Sequence, residues 1–259
     1  MPPASICIAD SNAGRRRQRK ITLGMTSTAA TALSEQGLEK NSLRSVDLRG
    51  PAGRLEALLN EGASDARFAG LVCHPHPKGG GSMHNKVVYH AMKVLNAPAW
   101  NLRCPVLRFN FRGTGTSEGQ HDGHAESGDV VAAIHWLQAE YGLPIVLAGF
   151  SFGAAMAVAA ANAISAAAPA DAPGLRALAL LGLPTHGFKR SLLSTCSLPK
   201  LFLSGDQDQF ATKTQLEQAF DSAASTKTLV LIPEADHFFT GHLEQMQAAL
   251  AAWLKEQIR

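Results

Sequence analysis

The sequence predicts an α/β domain over residues 43–259, a mostly parallel sheet of eight strands flanked by helices. Three observations carry that expectation. From Leu43 onward, short apolar runs alternate with longer segments of helical pattern, the way strands and crossover helices follow one another. Most of these runs are continuous rather than alternating, as in Pro144-Ile145-Val146-Leu147-Ala148, and a strand apolar on both sides is one covered by helices on both faces. That run passes through Gly149-Phe150-Ser151-Phe152-Gly153 straight into an alanine-rich helix former, 154–168, so strand, sharp turn and helix follow without a loop.

Taken in chain order, strands are expected at 45–48 and 53–59, joined by the turn Gly50-Pro51-Ala52-Gly53 as a hairpin. Six more follow at 69–73, 105–111, 144–149, 177–182, 200–204 and 228–232. Their connections are helical, with helices starting near Asn85, Glu126, Phe152, Lys213 and Gly241, so these strands run parallel. Only a short segment separates the strand ending near Leu183 from the one starting at Lys200, too short for a lid domain. The pocket is expected to be open, with residues 185–197 bearing on substrate preference.

Residues 1–42 differ from the rest. Proline, serine, threonine and alanine surround Arg15-Arg16-Arg17-Gln18-Arg19-Lys20, and the segment reads as a disordered tail. A processed export signal and a true start at Met25 are the alternatives; the stretch after the arginines is too rich in threonine and serine for a strong signal core. The net charge of +3 owes much to that basic run, so no broad basic surface speaks for nucleic acid. No apolar run approaches the ~20 residues of a membrane span. Cys7, Cys73, Cys104 and Cys196 show no Cys-x-x-Cys spacing, which suits a reducing, cytoplasmic setting.

The chemistry centres on Ser151. A serine hydroxyl is a poor nucleophile at neutral pH and needs a base to take its proton and a third group to orient that base. Both types lie downstream, just past expected strands: Gly205-Asp206-Gln207-Asp208-Gln209-Phe210 after one, and Pro233-Glu234-Ala235-Asp236-His237 after the next. The carboxyl ends of parallel strands share one sheet edge, so these segments converge on Ser151. His237 is the base, and Asp206 and Asp208 compete to orient it. Asp236, adjacent to His237, is better placed to shape the loop.

Together with Cys73-His74-Pro75-His76-Pro77, Gly79-Gly80-Gly81-Ser82-Met83 and Arg108-Phe109-Asn110-Phe111-Arg112-Gly113-Thr114-Gly115-Thr116-Ser117, these segments span nearly all of 43–259. The chain resembles the α/β-hydrolase fold serine hydrolases, in particular compact bacterial members often grouped with dienelactone hydrolases. The order Ser151, aspartate, His237 is theirs. The resemblance implies an α/β-hydrolase fold with little or no cap, a triad of Ser151, His237 and Asp208 (from the family's Gly-x-x-Asp, with Asp206 the alternative), and a carboxylic ester or other acyl substrate of small size. Dienelactone hydrolases carry cysteine where this chain has Ser151, so their substrate is not carried over. Oxyanion donors are expected from the Phe152 amide and from the loop after the third strand, where Pro75 and Pro77 have no N–H and His76 does.

No cofactor is required, and no metal is expected: His74 and His76 stand at i and i+2, yet the accompanying carboxylate–histidine helix motif is missing. His74 is read as a loop support, and His121 and His124 as solvated loop residues, with metal or substrate contact the alternative. Phe150 and Phe152 are read as core residues that could also line the site. Asn110 to Gly115 lacks the Gly-Lys-Ser/Thr ending of a phosphate loop, so Arg112 and its glycines are read as shaping the loop beside the site. A peptidase or amidase using the same triad, and a catalytically silent binding protein on the same fold, are the competing functions.

Overall fold

The computed structural model describes residues 5–10, 17–22, 42–167 and 174–257. Residues 1–42, expected as a disordered tail, hold two described strands, β1 (Ser5–Asp10) and β2 (Arg17–Thr22). All eight expected strands follow: β3 (Leu43–Gly50), β4 (Gly53–Asn60), β5 (Ala69–Cys73), β6 (Val106–Phe109), β7 (Ile145–Phe150), β8 (Leu175–Leu181), β9 (Lys200–Gly205) and β10 (Lys227–Ile232). Strands β1 and β2 form an antiparallel hairpin on the outer edge of β10, where Cys7 pairs with Leu231 and Asp10 with Thr228. The β-branched Ile6 and Ile8 are the local signal for it.

One sheet results, in the order β2-β1-β10-β9-β8-β7-β5-β6-β4-β3. From β6 to β10 every neighbouring pair runs parallel, while β3, β4 and the terminal hairpin pair antiparallel.

The pleat explains the continuous apolar runs. Successive side chains of a strand point to opposite faces, and here both faces are covered. On β7, Ile145 and Leu147 join the core under α2 (Glu126–Tyr141), α3 (Phe152–Ala167) and α5 (Lys213–Ser222). Val146, Ala148 and Phe150 join the opposite core, under α1 (Lys86–Asn96) and α6 (Leu243–Gln257). Strands β8 and β9 divide in the same way.

Helix starts follow local chemistry. Asn85 caps α1 by accepting from the Val87 amide, and Thr212 with Gln215 closes a reciprocal capping box on α5. Helix α2 ends at Gly142 in the left-handed conformation. The short helix α4 (Ser191–Thr195) and the 3-10 turns Pro77–Gly79 and Pro98–Trp100 add to the expected elements. Between β8 and β9 the chain makes only turns and α4, with no cap domain.

Candidate active site

Strand β7 stops at Phe150 and α3 begins at Phe152, leaving Ser151 alone at the bend. Its φ of 55° is left-handed, a conformation that costs a non-glycine residue of order 1 kcal/mol or more and persists only where neighbours enforce it. They do: the Ser151 amide donates to the Leu181 carbonyl, and the Ser151 carbonyl accepts from Ala154 and Ala155 as the first turn of α3. The flanking glycines are steric necessities. A Cβ at Gly149 would run into the Gly153 carbonyl, and one at Gly153 would lie 2.5 Å from the carbonyl oxygens of both Cys73 and His74. The second contact shows how tightly the start of α3 is pressed onto the end of β5.

The carboxyl ends of β7, β9 and β10 deliver three side chains to one place. His237 Nε2 lies 2.9 Å from Ser151 Oγ, and His237 Nδ1 lies 2.9 Å from Asp208 Oδ2. Of the two competing aspartates, Asp208 meets the imidazole. Asp206 turns away, accepting from the Glu234 amide at 2.7 Å. Asp236 accepts from the Phe238 and Thr240 amides and shapes the loop, as expected.

Asp208 is held at both oxygens. Oδ1 accepts from the amides of Phe210 at 2.8 Å and Ala211 at 3.1 Å, while Oδ2 accepts from Ser204 Oγ at 2.8 Å as well as facing His237. Burial by itself would push this carboxyl up, but the hydrogen bonds and charge of His237, with those from Ser204 and Phe210, outweigh it and hold it below the ordinary aspartate range. Asp208 therefore stays ionised against the imidazole. Ser204 carries no signal of this role in the sequence: a serine inside an apolar strand gives no sign of which loop residue it will meet.

The loop after β5 packs beside the serine. His74 is fully buried; its Nε2 accepts from the Phe111 amide at 3.0 Å and its Nδ1 donates to the Pro75 carbonyl at 2.6 Å. Burial pushes the ring down to about 4, so it is a neutral strut, as expected. The His76 ring stands 5.0 Å from the Phe152 ring, and its Nδ1 accepts from the Lys78 amide.

One reading needs correction. His124 is exposed, but His121 is not a solvated loop residue: its ring packs 4.7 Å from His76 and 5.6 Å from Phe152. Its Nδ1 lies 2.7 Å from Glu126 Oε1, without the alignment of a hydrogen bond. Glu126 is fully buried and accepts the Asp122 and Gly123 amides, which pulls the loop back over the site. A buried acid five positions after a histidine at a helix start is a weak signal, and only the fold makes it meaningful.

Arg112 shapes the neighbouring loop through a bidentate pair with buried Asp129, with contacts of 2.6–3.1 Å that also include the Arg112 amide. The Asp129 hydrogen bond holds the guanidinium more firmly protonated than usual. Replacing Asp129 by alanine would leave that cation buried and unpaired. The expected cost is about 3–5 kcal/mol of stability, read as a fall in the denaturant midpoint.

Phe150 is core, stacked 5.0 Å from the His237 ring, and Phe152 is buried at the edge of the site. Phe210 and Phe238, to which the sequence assigns no role, flank the imidazole at 4.5 and 5.2 Å. Burial pushes the Cys73 and Cys104 thiols up, so the cysteine nearest the site is no thiolate nucleophile. Among the described residues no three His, Cys, Asp or Glu side chains stand together as a metal would need, and no helix is long and apolar enough to cross a membrane.

Known proteins share this frame. An α/β serine hydrolase without lid from Xanthomonas campestris is 30% identical, covering 85% of this chain and 97% of its own, with a TM-score of 0.73. An α/β serine hydrolase homologue from Coxiella burnetii is 31% identical, covering 81% and 96%, with a TM-score of 0.71. An uncharacterized protein of Rickettsia prowazekii is 32% identical over 216 residues, 79% of this chain and 86% of the relative. With residues 71–222 also matching the model of the alpha/beta hydrolase family, the chain belongs to that family.

Proposed function

We propose that this protein is a serine hydrolase that cleaves a carboxylic ester of small size through an acyl-enzyme on Ser151. The observation that carries the reading is the hydrogen-bonded chain Ser151 Oγ, His237 Nε2, His237 Nδ1, Asp208 Oδ2, with both links at 2.9 Å. In that geometry His237 takes the Ser151 proton as Oγ attacks the ester carbonyl, then returns it to the departing alkoxide. Asp208 keeps the other ring proton on Nδ1, so Nε2 is free to accept. Water then repeats the sequence on the acyl-enzyme. No step requires a cofactor.

Charge developing on the carbonyl oxygen needs N–H donors already in place. Among the described residues neither the Phe152 nor the His76 amide has an acceptor, although each sits in an otherwise well-bonded turn. With their rings in contact and Gly153 pressed on the Cys73 and His74 carbonyls, the two amides supply the oxyanion site. This assignment has a backbone test. His76 has φ of −56°, which proline also adopts, so His76→Pro deletes the N–H with little change of φ, while His76→Ala keeps it. The proline variant is expected to lose about 10²–10³-fold in kcat and the alanine variant far less. Equal losses in the two would assign the role elsewhere.

The reaction itself is tested with p-nitrophenyl esters from acetate to decanoate, wild type beside Ser151→Ala. Turnover that disappears in the variant supports the reading, and its chain-length profile sizes the acyl pocket. A folded protein with no turnover on any ester would move the reading to amide or peptide substrates, or to a non-catalytic role.

A further inference from the structure

Phe210 and Phe238 are 51% and 47% exposed, and no other phenylalanine among the described residues is exposed. Leaving two large apolar rings half in water forgoes burial that apolar surface strongly favours. Both belong to the loops that carry the candidate triad, two positions after Asp208 and one after His237. They are also fixed: the Phe210 amide donates to Asp208 Oδ1 at 2.8 Å and the Phe238 amide to Asp236 Oδ1 at 3.0 Å. Among the described residues no cap covers them, because the β8–β9 connection is short.

The reaction dictates what meets these rings. When the ester C–O bond breaks, its electron pair stays on the leaving oxygen, the proton on His237 Nε2 passes to that oxygen, and the acyl group remains on Ser151 Oγ. The leaving oxygen must then lie within hydrogen-bond reach of Nε2, so the group bonded to it lies against whatever flanks the imidazole on its open side. That is Phe210 and Phe238, with centroids 4.5 and 5.2 Å from the imidazole. The proposed oxyanion donors, the His76 and Phe152 amides, take the acyl carbonyl instead.

We infer that Phe210 and Phe238 form a leaving-group subsite that selects esters of neutral arylmethyl alcohols; the inference rests on the serine-hydrolase reading above. The two rings stand 6.4 Å apart and nearly perpendicular, at 87°, too close for a third ring to slot between them. An aryl group one methylene beyond the oxygen lies across both, edge to one and face to the other, at the 4.5–7 Å spacing aromatic pairs favour. A saturated ring of the same size gains the area but not the quadrupole contact. Asp206, Glu234 and Asp236 in the same two loops disfavour an anionic leaving group.

The test compares kcat/KM for benzyl acetate and cyclohexylmethyl acetate in the wild type and in Phe210→Leu/Phe238→Leu, with fluorophosphonate labelling of wild-type Ser151 run in parallel. The wild type is expected to favour the benzyl ester by about tenfold, and the double variant to bring the ratio near one. Leucine keeps an apolar packing partner for His237, and a ratio cancels any general loss from a shifted imidazole. Should the variant fail to fold, the wild-type ratio alone decides. A ratio near one in a labelled, turning-over wild type, or a preference that survives the substitutions, overturns the subsite and leaves the hydrolase reading intact. A wild type that neither labels nor hydrolyses any ester overturns the hydrolase reading, and the subsite with it.

Discussion

Ser151→Ala is expected to lower kcat on a p-nitrophenyl ester by about 10⁶-fold, because nucleophile and base act as a unit and the remaining pair has nothing to deprotonate. In the proposed mechanism, the residual rate is what bound water and the Phe152 and His76 amides sustain. Stability is expected to change by less than about 1 kcal/mol: the hydroxyl makes a single hydrogen bond, to His237, and the elbow is held by its backbone bonds to the Leu181 carbonyl and from the Ala154 and Ala155 amides, which alanine keeps. A variant equally inactive but unfolded by circular dichroism would leave the role of Ser151 to be decided by labelling.

Asp208→Asn is expected to cost about 10⁴-fold in kcat without removing the serine–histidine pair. The structure fixes why. Two amides, from Phe210 and Ala211, point at Oδ1, so the asparagine oxygen must occupy that position and its NH₂ must face His237. An NH₂ donor there makes Nδ1 an acceptor and puts the ring proton on Nε2, where it blocks transfer from Ser151. Imidazole ¹⁵N shifts report that tautomer directly; an unchanged tautomer with unchanged kcat would remove Asp208 from the mechanism.

The same carboxyl gives a pH signature. Held below its ordinary value in the folded state, it contributes stability that is complete above the unfolded carboxylate pKa of about 3.9 and is lost as pH falls through the lower folded value. The melting-temperature gap between wild type and Asp208→Asn is therefore expected to be widest near neutral pH and to close in acid. A gap that stays constant from pH 7 to pH 3 would contradict the ionised, hydrogen-bonded state of Asp208.

Much of this architecture is legible in the amino-acid sequence, for a physical reason. Strands covered on both faces cannot alternate, so 69–73, 145–150 and the centre of β9, 201–203, announce themselves as unbroken apolar runs. Chemistry placed directly after such runs must fall on one sheet edge, which is why Ser151, Asp208 and His237 can be grouped across a long stretch of chain. The rest depends on loop paths. Whether Asp206 or Asp208 meets the imidazole is a matter of one turn, and Ser204 acquires its role only through the pleat of β9. His121 reads as a solvated residue because its polar neighbours give no hint that buried Glu126 holds the loop against Phe152. Helix α4 is too short to show a period, and β1 and β2 sit in a segment whose composition resembles a tail.

The most direct test is intact-mass and peptide mass spectrometry after incubation with a fluorophosphonate. The predicted result is one phosphonyl adduct per chain, on the peptide containing Ser151, formed by the wild type, abolished in Ser151→Ala and slowed in Asp208→Asn. A folded wild type that takes no adduct, or an adduct that persists in Ser151→Ala, would contradict an activated serine at the end of β7.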